Sequence, residues 1–211
     1  MSTSPVLLLH GLATSAQRTW VETGWVDLLR DAGREVIALD LPGHGGAPLL
    51  DDWDRLEDVV AAQLPDGPLD AVGFSMGARV LLVLATREPH RFGHLVLAGV
   101  GANLFRGDDP ASLPEQISRH FDGLARSSGT DPSTVEALLG RKQPPLADEA
   151  LRAISADTLV VMGTDDFAGP ADPLVERLTT VRLVELRGVD HFATPKSMAF
   201  LDAGLTHLGA G

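Results

Sequence analysis

Serine 75 lies between two glycines, in Gly73-Phe74-Ser75-Met76-Gly77. A serine hydroxyl is a poor nucleophile at neutral pH and needs a base to take its proton. Seven histidines could supply one. His191, between Asp190 and Phe192, falls after the last expected strand and before the last expected helix. His90 and His94 flank the start of a strand and read as surface residues at the opposite edge of a sheet. His207 falls inside the final helix and is expected to be exposed, and His120 lies in a long insertion. The imidazole in turn needs a carboxylate to fix its tautomer and stabilise its cation. The run Val160 to Asp166 ends a strand with two acids, Asp165 and Asp166, on the loop that follows. Chain order Ser75, Asp166, His191 gives nucleophile, acid and base. Asp165 competes for the acid role, and Asp190 is expected to point away from the ring it adjoins.

Acyl transfer also needs two backbone N–H donors for the oxyanion. Met76, next after the serine, offers one. Leu12, in His10-Gly11-Leu12-Ala13 after the first strand, is expected to offer the other.

Other chemistries lack their residues. The 211-residue chain has no cysteine, which removes disulfides, thiol nucleophiles and cysteine-held metals. It has no tyrosine, so no phenol can serve as acid or base. Gly99 to Gly101 and Gly43 to Gly46 start like dinucleotide fingerprints but lack the third glycine in register. No phosphate loop or zinc-binding histidine pair is present, so neither cofactor nor metal is expected. The formal net charge of −12 argues against nucleic acid and anionic membranes as partners. The apolar run Val6 to Leu9 is too short for a signal peptide. Val80 to Ala85 is too short to span a bilayer, which needs about 20 residues. The expected partner is a small molecule, the expected compartment cytoplasmic, and the expected state a monomer or homodimer.

The positioning elements follow from hydrophobic pattern. Val6–Leu9, Val36–Leu39, Leu69–Phe74, Leu95–Ala98 and Leu159–Met162 are apolar runs with little alternation, as in strands covered on both faces. Val181–Leu186 partly alternates and reads as a strand near an edge. Helices are expected at Trp25–Arg30, Trp53–Leu64 and Met76–Glu88, the last two ended by Pro65 and Pro89. Thr194-Pro195 reads as a cap and first turn of a helix reaching Leu208. Alternating strands and helices imply a three-layer, doubly wound α/β domain. Between Gly101 and Asp157 the rhythm breaks, with short helices expected at Ser112–Arg126, Asp131–Leu139 and Leu146–Ser155. Such an insertion usually has a task, such as a lid.

These motifs together resemble the α/β-hydrolase-fold serine hydrolases. The resemblance rests on His10-Gly11, on Leu41 to Gly45, on the Gly73–Gly77 elbow, on Gly163 to Asp166 and on Asp190 to Phe192. It implies a triad of Ser75, Asp166 and His191, with His44 structural and holding the Pro42–Gly46 loop. The antiparallel strand pair that usually precedes the His-Gly strand is missing, so the sheet is expected to hold six strands, mostly or wholly parallel. Residues 1–103 and 158–211 would form the hydrolase core, and 104–157 a short helical lid.

The resemblance implies ester hydrolysis through an acyl-enzyme, with thioester, lactone or C–C cleavage, elimination and cofactor-free perhydrolysis as alternatives. A small-molecule receptor retaining a hydrolase-like site is the non-enzyme alternative. An apolar pocket over Ser75 is expected from Phe105, Ile117, Phe121, Phe167 and Phe192. Arg106, Arg119, Arg126, Arg141 and Lys142 are basic residues of the insertion that could orient a substrate carboxylate. Trp20, Trp25 and Trp53 are expected in the core or at its rim rather than as a stacking platform.

Overall fold

The computed structural model describes residues 4–105, 115–143 and 145–211. Strands β1 (Val6–Leu9), β2 (Val36–Leu39), β3 (Leu69–Phe74), β4 (Phe92–Ala98), β5 (Asp157–Gly163) and β6 (Val181–Leu186) form one sheet in the order β2-β1-β3-β4-β5-β6. Every neighbouring pair is parallel. Alternate residues of the inner strands enter different cores. Leu7, Leu9, Ala71, Leu95 and Leu97 pack on one face. Val6, Leu8, Val72, Val96 and Val161 pack on the other. Burial on both faces explains why these strands read as unbroken apolar runs. β6 closes one edge, and its Arg182, Leu183 and Glu185 are exposed.

One layer contains α2 (Leu56–Ala61) and α3 (Met76–Arg87), and the other contains α1 (Trp25–Asp31) and α8 (Met198–His207). Trp20 and Trp25 are fully buried in the second layer, edge to face at 5.6 Å, with Phe200 5.0 Å from Trp25. The chain runs from β1 out to β2 and returns to place β3 on the other side of β1. The loops leaving β1 and β3 therefore diverge, and a crevice opens at the carboxyl edge of the sheet.

Between β4 and β5 stand α4 (Glu115–Ser128), α5 (Pro132–Gly140) and α6 (Asp148–Arg152). α4 is fastened across the carboxyl edge. Ser128 Oγ donates to the Ala13 carbonyl at 3.0 Å, and Arg18 donates to Ser127 Oγ at 2.9 Å. Arg106 and the expected start of the first insertion helix lie outside the described residues.

Two expectations need correction. The last helix does not run unbroken from Thr194. Residues Thr194–Lys196 form a 3-10 turn, Ser197 is extended at φ −73° and ψ 122°, and α8 starts at Met198. The Thr194 hydroxyl donates to the Asp190 carbonyl at 2.9 Å, so it ties down the preceding loop instead of capping a helix. His207 is buried, not exposed, because its Nε2 donates to the Asp157 carbonyl at 2.9 Å and the ring meets His94 edge on. Among the described residues, no helix is long and apolar enough to cross a membrane.

Candidate active site

Ser75 joins β3 to α3 with φ 53° and ψ −114°, a left-handed conformation that side chains other than glycine rarely adopt. The turn is tight on both sides. A β-carbon on Gly77 would collide with the carbonyl oxygens of Leu9 and His10, and one on Gly73 would come within 2.6 Å of the Ala78 backbone. The Ser75 N–H donates to the Ala98 carbonyl at 2.8 Å, which fixes the elbow to β4.

His191 Nε2 stands 2.9 Å from Ser75 Oγ. Its Nδ1 stands 2.9 Å from each Asp166 carboxylate oxygen. Acceptor oxygens at Nδ1 place the ring proton there, which leaves Nε2 to accept from the serine hydroxyl. Asp166 Oδ1 also accepts the Ala168 N–H at 2.8 Å. Both His191 and Asp166 are buried. Phe74 and Phe167 rings flank the imidazole at 4.9 and 4.3 Å. Asp165 is exposed and accepts from Thr164 Oγ1 at 3.2 Å, while Asp190 accepts the Ala193 N–H at 2.8 Å. Neither of these acids lies against the ring.

Two buried imidazoles hold the loop after β1. His10 donates to the Gly11 carbonyl at 2.7 Å and accepts the Leu41 N–H at 3.0 Å. His44 donates to the Pro42 carbonyl at 2.9 Å and accepts the Ala13 N–H at 3.1 Å. Burial, with the neighbouring His44, pushes the His10 pKa down to about 3. Burial lowers that of His44 as well. Each ring thus stays neutral with Nε2 free of a proton, as its acceptor role demands. Ala13, at φ 62°, is the other non-glycine residue with positive φ among the described residues.

Two cavities meet at Ser75, and Leu12, Phe121 and His191 line both. The narrower holds about 200 Å³ and is lined further by Met76, Arg79, Leu138, Gln143 and Phe167. The wider holds about 440 Å³ and reaches Phe192, His120, Arg18 and Lys196. Phe105 and Ile117 line neither cavity, contrary to expectation. Phe105 follows a 3-10 turn packed on α7 (Asp172–Val175), and its ring lies 4.4 Å from the Arg177 guanidinium. Ile117 packs against the core.

The basic residues of the insertion also turn elsewhere. Arg119 pairs with Glu115 at 2.9 Å, Arg126 donates to the Asp122 carbonyl, and Lys142 is exposed. Arg141 grips Glu57, with Nη1–Oε1 3.1 Å and Nη2–Oε2 2.7 Å. Among the described residues, the cation lining the narrower cavity is Arg79, one helical turn beyond Ser75, a residue the sequence reading passed over. Spacing of four from the serine, on a helix that starts at Met76, was the available signal. His120, stacked on Phe192 at 3.7 Å and 14°, was also missed as part of the cavity wall.

A profile described as the alpha/beta hydrolase family matches residues 6–203. The chain belongs to the alpha/beta hydrolase family. It is 43% identical over 183 residues to a pimeloyl-[acyl-carrier protein] methyl ester esterase of Neisseria meningitidis, spanning 79% of this chain and 69% of that one. It is 30% identical to the protein of the same description from Nitrosomonas europaea, over 85% of each chain. Among solved structures, it matches a carboxylesterase of Nitrososphaera gargenis with a TM-score of 0.77 and 19% identity, over 98% of this chain and 90% of that one. It matches a hydrolase from Pseudomonas aeruginosa with a TM-score of 0.74 and 21% identity, over 99% and 91%. At those identities the structural likeness speaks for the fold. With its esterase relatives, this alpha/beta hydrolase is an enzyme of the carboxylic ester hydrolase class.

Proposed function

We propose that this hydrolase cleaves small carboxylic esters through an acyl-enzyme on Ser75. The observation that carries the reading is the continuous line Ser75 Oγ, His191 and Asp166, with both links at 2.9 Å. His191 Nε2 takes the hydroxyl proton as Oγ attacks the ester carbonyl carbon. The negative oxygen that forms is met by the N–H groups of Leu12 and Met76. Asp166 stabilises the imidazolium. His191 then protonates the leaving alcohol, and a water repeats the sequence to release the acid. The insertion helices α4 and α5, which bring Phe121 and Leu138 to the cavity wall, act as the cover over this chemistry.

The finer reading takes its substrate from the relatives' description, a methyl ester on an acyl chain borne by a carrier protein. Support comes from the two-armed cavity. The wider arm suits a long acyl chain leading out past Arg18 and Lys196, while methanol needs little room.

Methanol release from simple methyl esters by the purified protein tests the reading. The wild type is expected to turn these esters over and Ser75→Ala to lose about 10³-fold or more in kcat with its fold intact. Turnover by a folded Ser75→Ala protein at the wild-type rate contradicts it.

A further inference from the structure

Four of the described residues line both cavities: Leu12, Ser75, His191 and Phe121. The first three belong to the proposed chemistry. Phe121 comes from α4 in the insertion, and acyl transfer itself gives it no part. Its side chain is buried, and it meets one aromatic ring from each cavity edge on. Phe167 lines the narrower cavity and lies 6.4 Å from it at 82°. Phe192 lines the wider one and lies 5.4 Å from it at 74°. Edge-to-face packing of this kind is favourable and sets the plane of the ring. Phe121 thus stands where the two cavities join, against a wall of each.

The helix holds the ring there. Ile117, Phe121, Leu124, Ala125 and Ser128 recur at the spacing of one helical face. Ile117 packs on the core, Ala125 is buried, and Leu124 lines the wider cavity. Ser128 stands two turns beyond Phe121, about 10 Å along the axis. Its hydroxyl donates to the Ala13 carbonyl at 3.0 Å, next to Leu12 in the loop after β1. The ring is therefore positioned relative to Ser75 and that loop, and it cannot swing aside without giving up close-packed contacts.

The consequence is a limit on size. An ester poised for attack points its acyl group one way from Ser75 and its alcohol the other. A cavity of about 150 Å³ takes a benzene ring. The narrower cavity, at about 200 Å³, takes a group of that order. A longer group would have to turn back past Ser75 into the wider cavity of about 440 Å³, and Phe121 stands across that path. We propose that Phe121 is the specificity-determining residue that keeps the two cavities apart, so that one side of the scissile ester is held to a small size while the other side is free to be long. The inference rests on the ester-hydrolase reading but not on a carrier-borne substrate.

Five isomeric esters test it at constant composition: methyl undecanoate, butyl octanoate, hexyl hexanoate, octyl butanoate and decyl acetate. Along this series carbon moves from the acyl side to the alcohol side while the total apolar surface stays nearly constant. The wild type is expected to differ between the two ends by about tenfold or more in kcat/KM, since one methylene too many in an apolar pocket already costs about tenfold. The favoured end reports which side of the ester the narrower cavity holds. Phe121→Ala and Phe121→Val are expected to cut the end-to-end ratio by about fivefold or more. A ratio taken within one protein cancels any general loss of activity, and the valine variant carries the test if the alanine variant does not fold. A wild-type ratio below tenfold, or a ratio that falls by less than fivefold in a folded Phe121→Val protein, overturns the proposal.

A crystal structure of Ser75→Ala with hexyl hexanoate reads the two cavities without turnover. One chain is expected in each cavity, on opposite sides of the Phe121 ring. Both chains on one side of the ring, or a narrower cavity without a chain, overturns the proposal. Absence of Ser75-dependent hydrolysis of every ester sinks the ester-hydrolase reading instead, and this structure still decides whether Phe121 divides the cleft.

Discussion

His44 Nε2 accepts the Ala13 N–H at 3.1 Å and so ties the turn after β2 to the loop after β1. That loop carries Leu12, whose N–H the proposed mechanism uses. The histidine is thus two steps from the chemistry, acting through Ala13 on Leu12. His44→Ala is expected to lower kcat by about tenfold or more with KM little changed, since a lost oxyanion donor costs about 10²–10³ and a displaced one less. Steady-state kinetics on a methyl ester checks this. A change confined to KM would mean that the loop serves binding only.

The same loop predicts how stability varies with pH. His10 has a folded pKa of about 3 against its ordinary 6.5, so between these values the unfolded chain binds the proton that the folded chain refuses. Its contribution to stability is complete above about pH 6.5 and is lost as pH falls toward 3. The slope from this one group is about 1.4 kcal/mol per pH unit. Urea unfolding between pH 6 and pH 4 should show wild-type stability falling with pH. His10→Asn should be less stable at pH 7 and fall less steeply, by about that amount. Parallel slopes for the two proteins would contradict the buried neutral imidazole.

The elbow stores strain that can be measured apart from activity. Ser75 has φ 53°, where glycine is at ease and alanine is not. Ser75→Ala and Ser75→Gly should both lose turnover, but the glycine variant should be the more stable by about 1 kcal/mol or more. Equal denaturation midpoints and slopes for the two would show a relaxed turn.

The two adjacent acids after β5 separate cleanly by mutation. Asp166→Asn removes the acceptor from His191 Nδ1 and should lower kcat by about 10³- to 10⁴-fold. Asp165→Asn should change it by no more than about threefold, as for an exposed residue away from the chemistry. The reverse order would assign the acid role to Asp165.

Much of this arrangement was legible in the chain. The strands announced themselves because both faces of a parallel sheet are covered, so Val6–Leu9 and Leu69–Phe74 contain hardly a polar residue. The elbow was legible because Gly73 and Gly77 are required by close backbone approach, a constraint that leaves its mark in residue type. Phe105 and Ile117 were misplaced because apolar side chains in an insertion serve core and cavity alike. The break at Ser197 was missed because Thr194-Pro195 suits a 3-10 turn as well as an α-helical start. Arg79 was passed over for a plainer reason. Long-range pairing decides which of several arginines faces the cavity, and the partner of Arg141, Glu57, lies 84 residues away in the chain.

The central claim is that Ser75 Oγ is the atom that His191 activates for attack. Treatment of the native protein with a fluorophosphonate, followed by peptide mapping by mass spectrometry, tests it most directly. The account predicts a single phosphonyl adduct on Ser75, absent from Ser75→Ala and formed much more slowly in His191→Gln. An adduct on another residue, or labelling of Ser75 at the same rate without the imidazole, would contradict it.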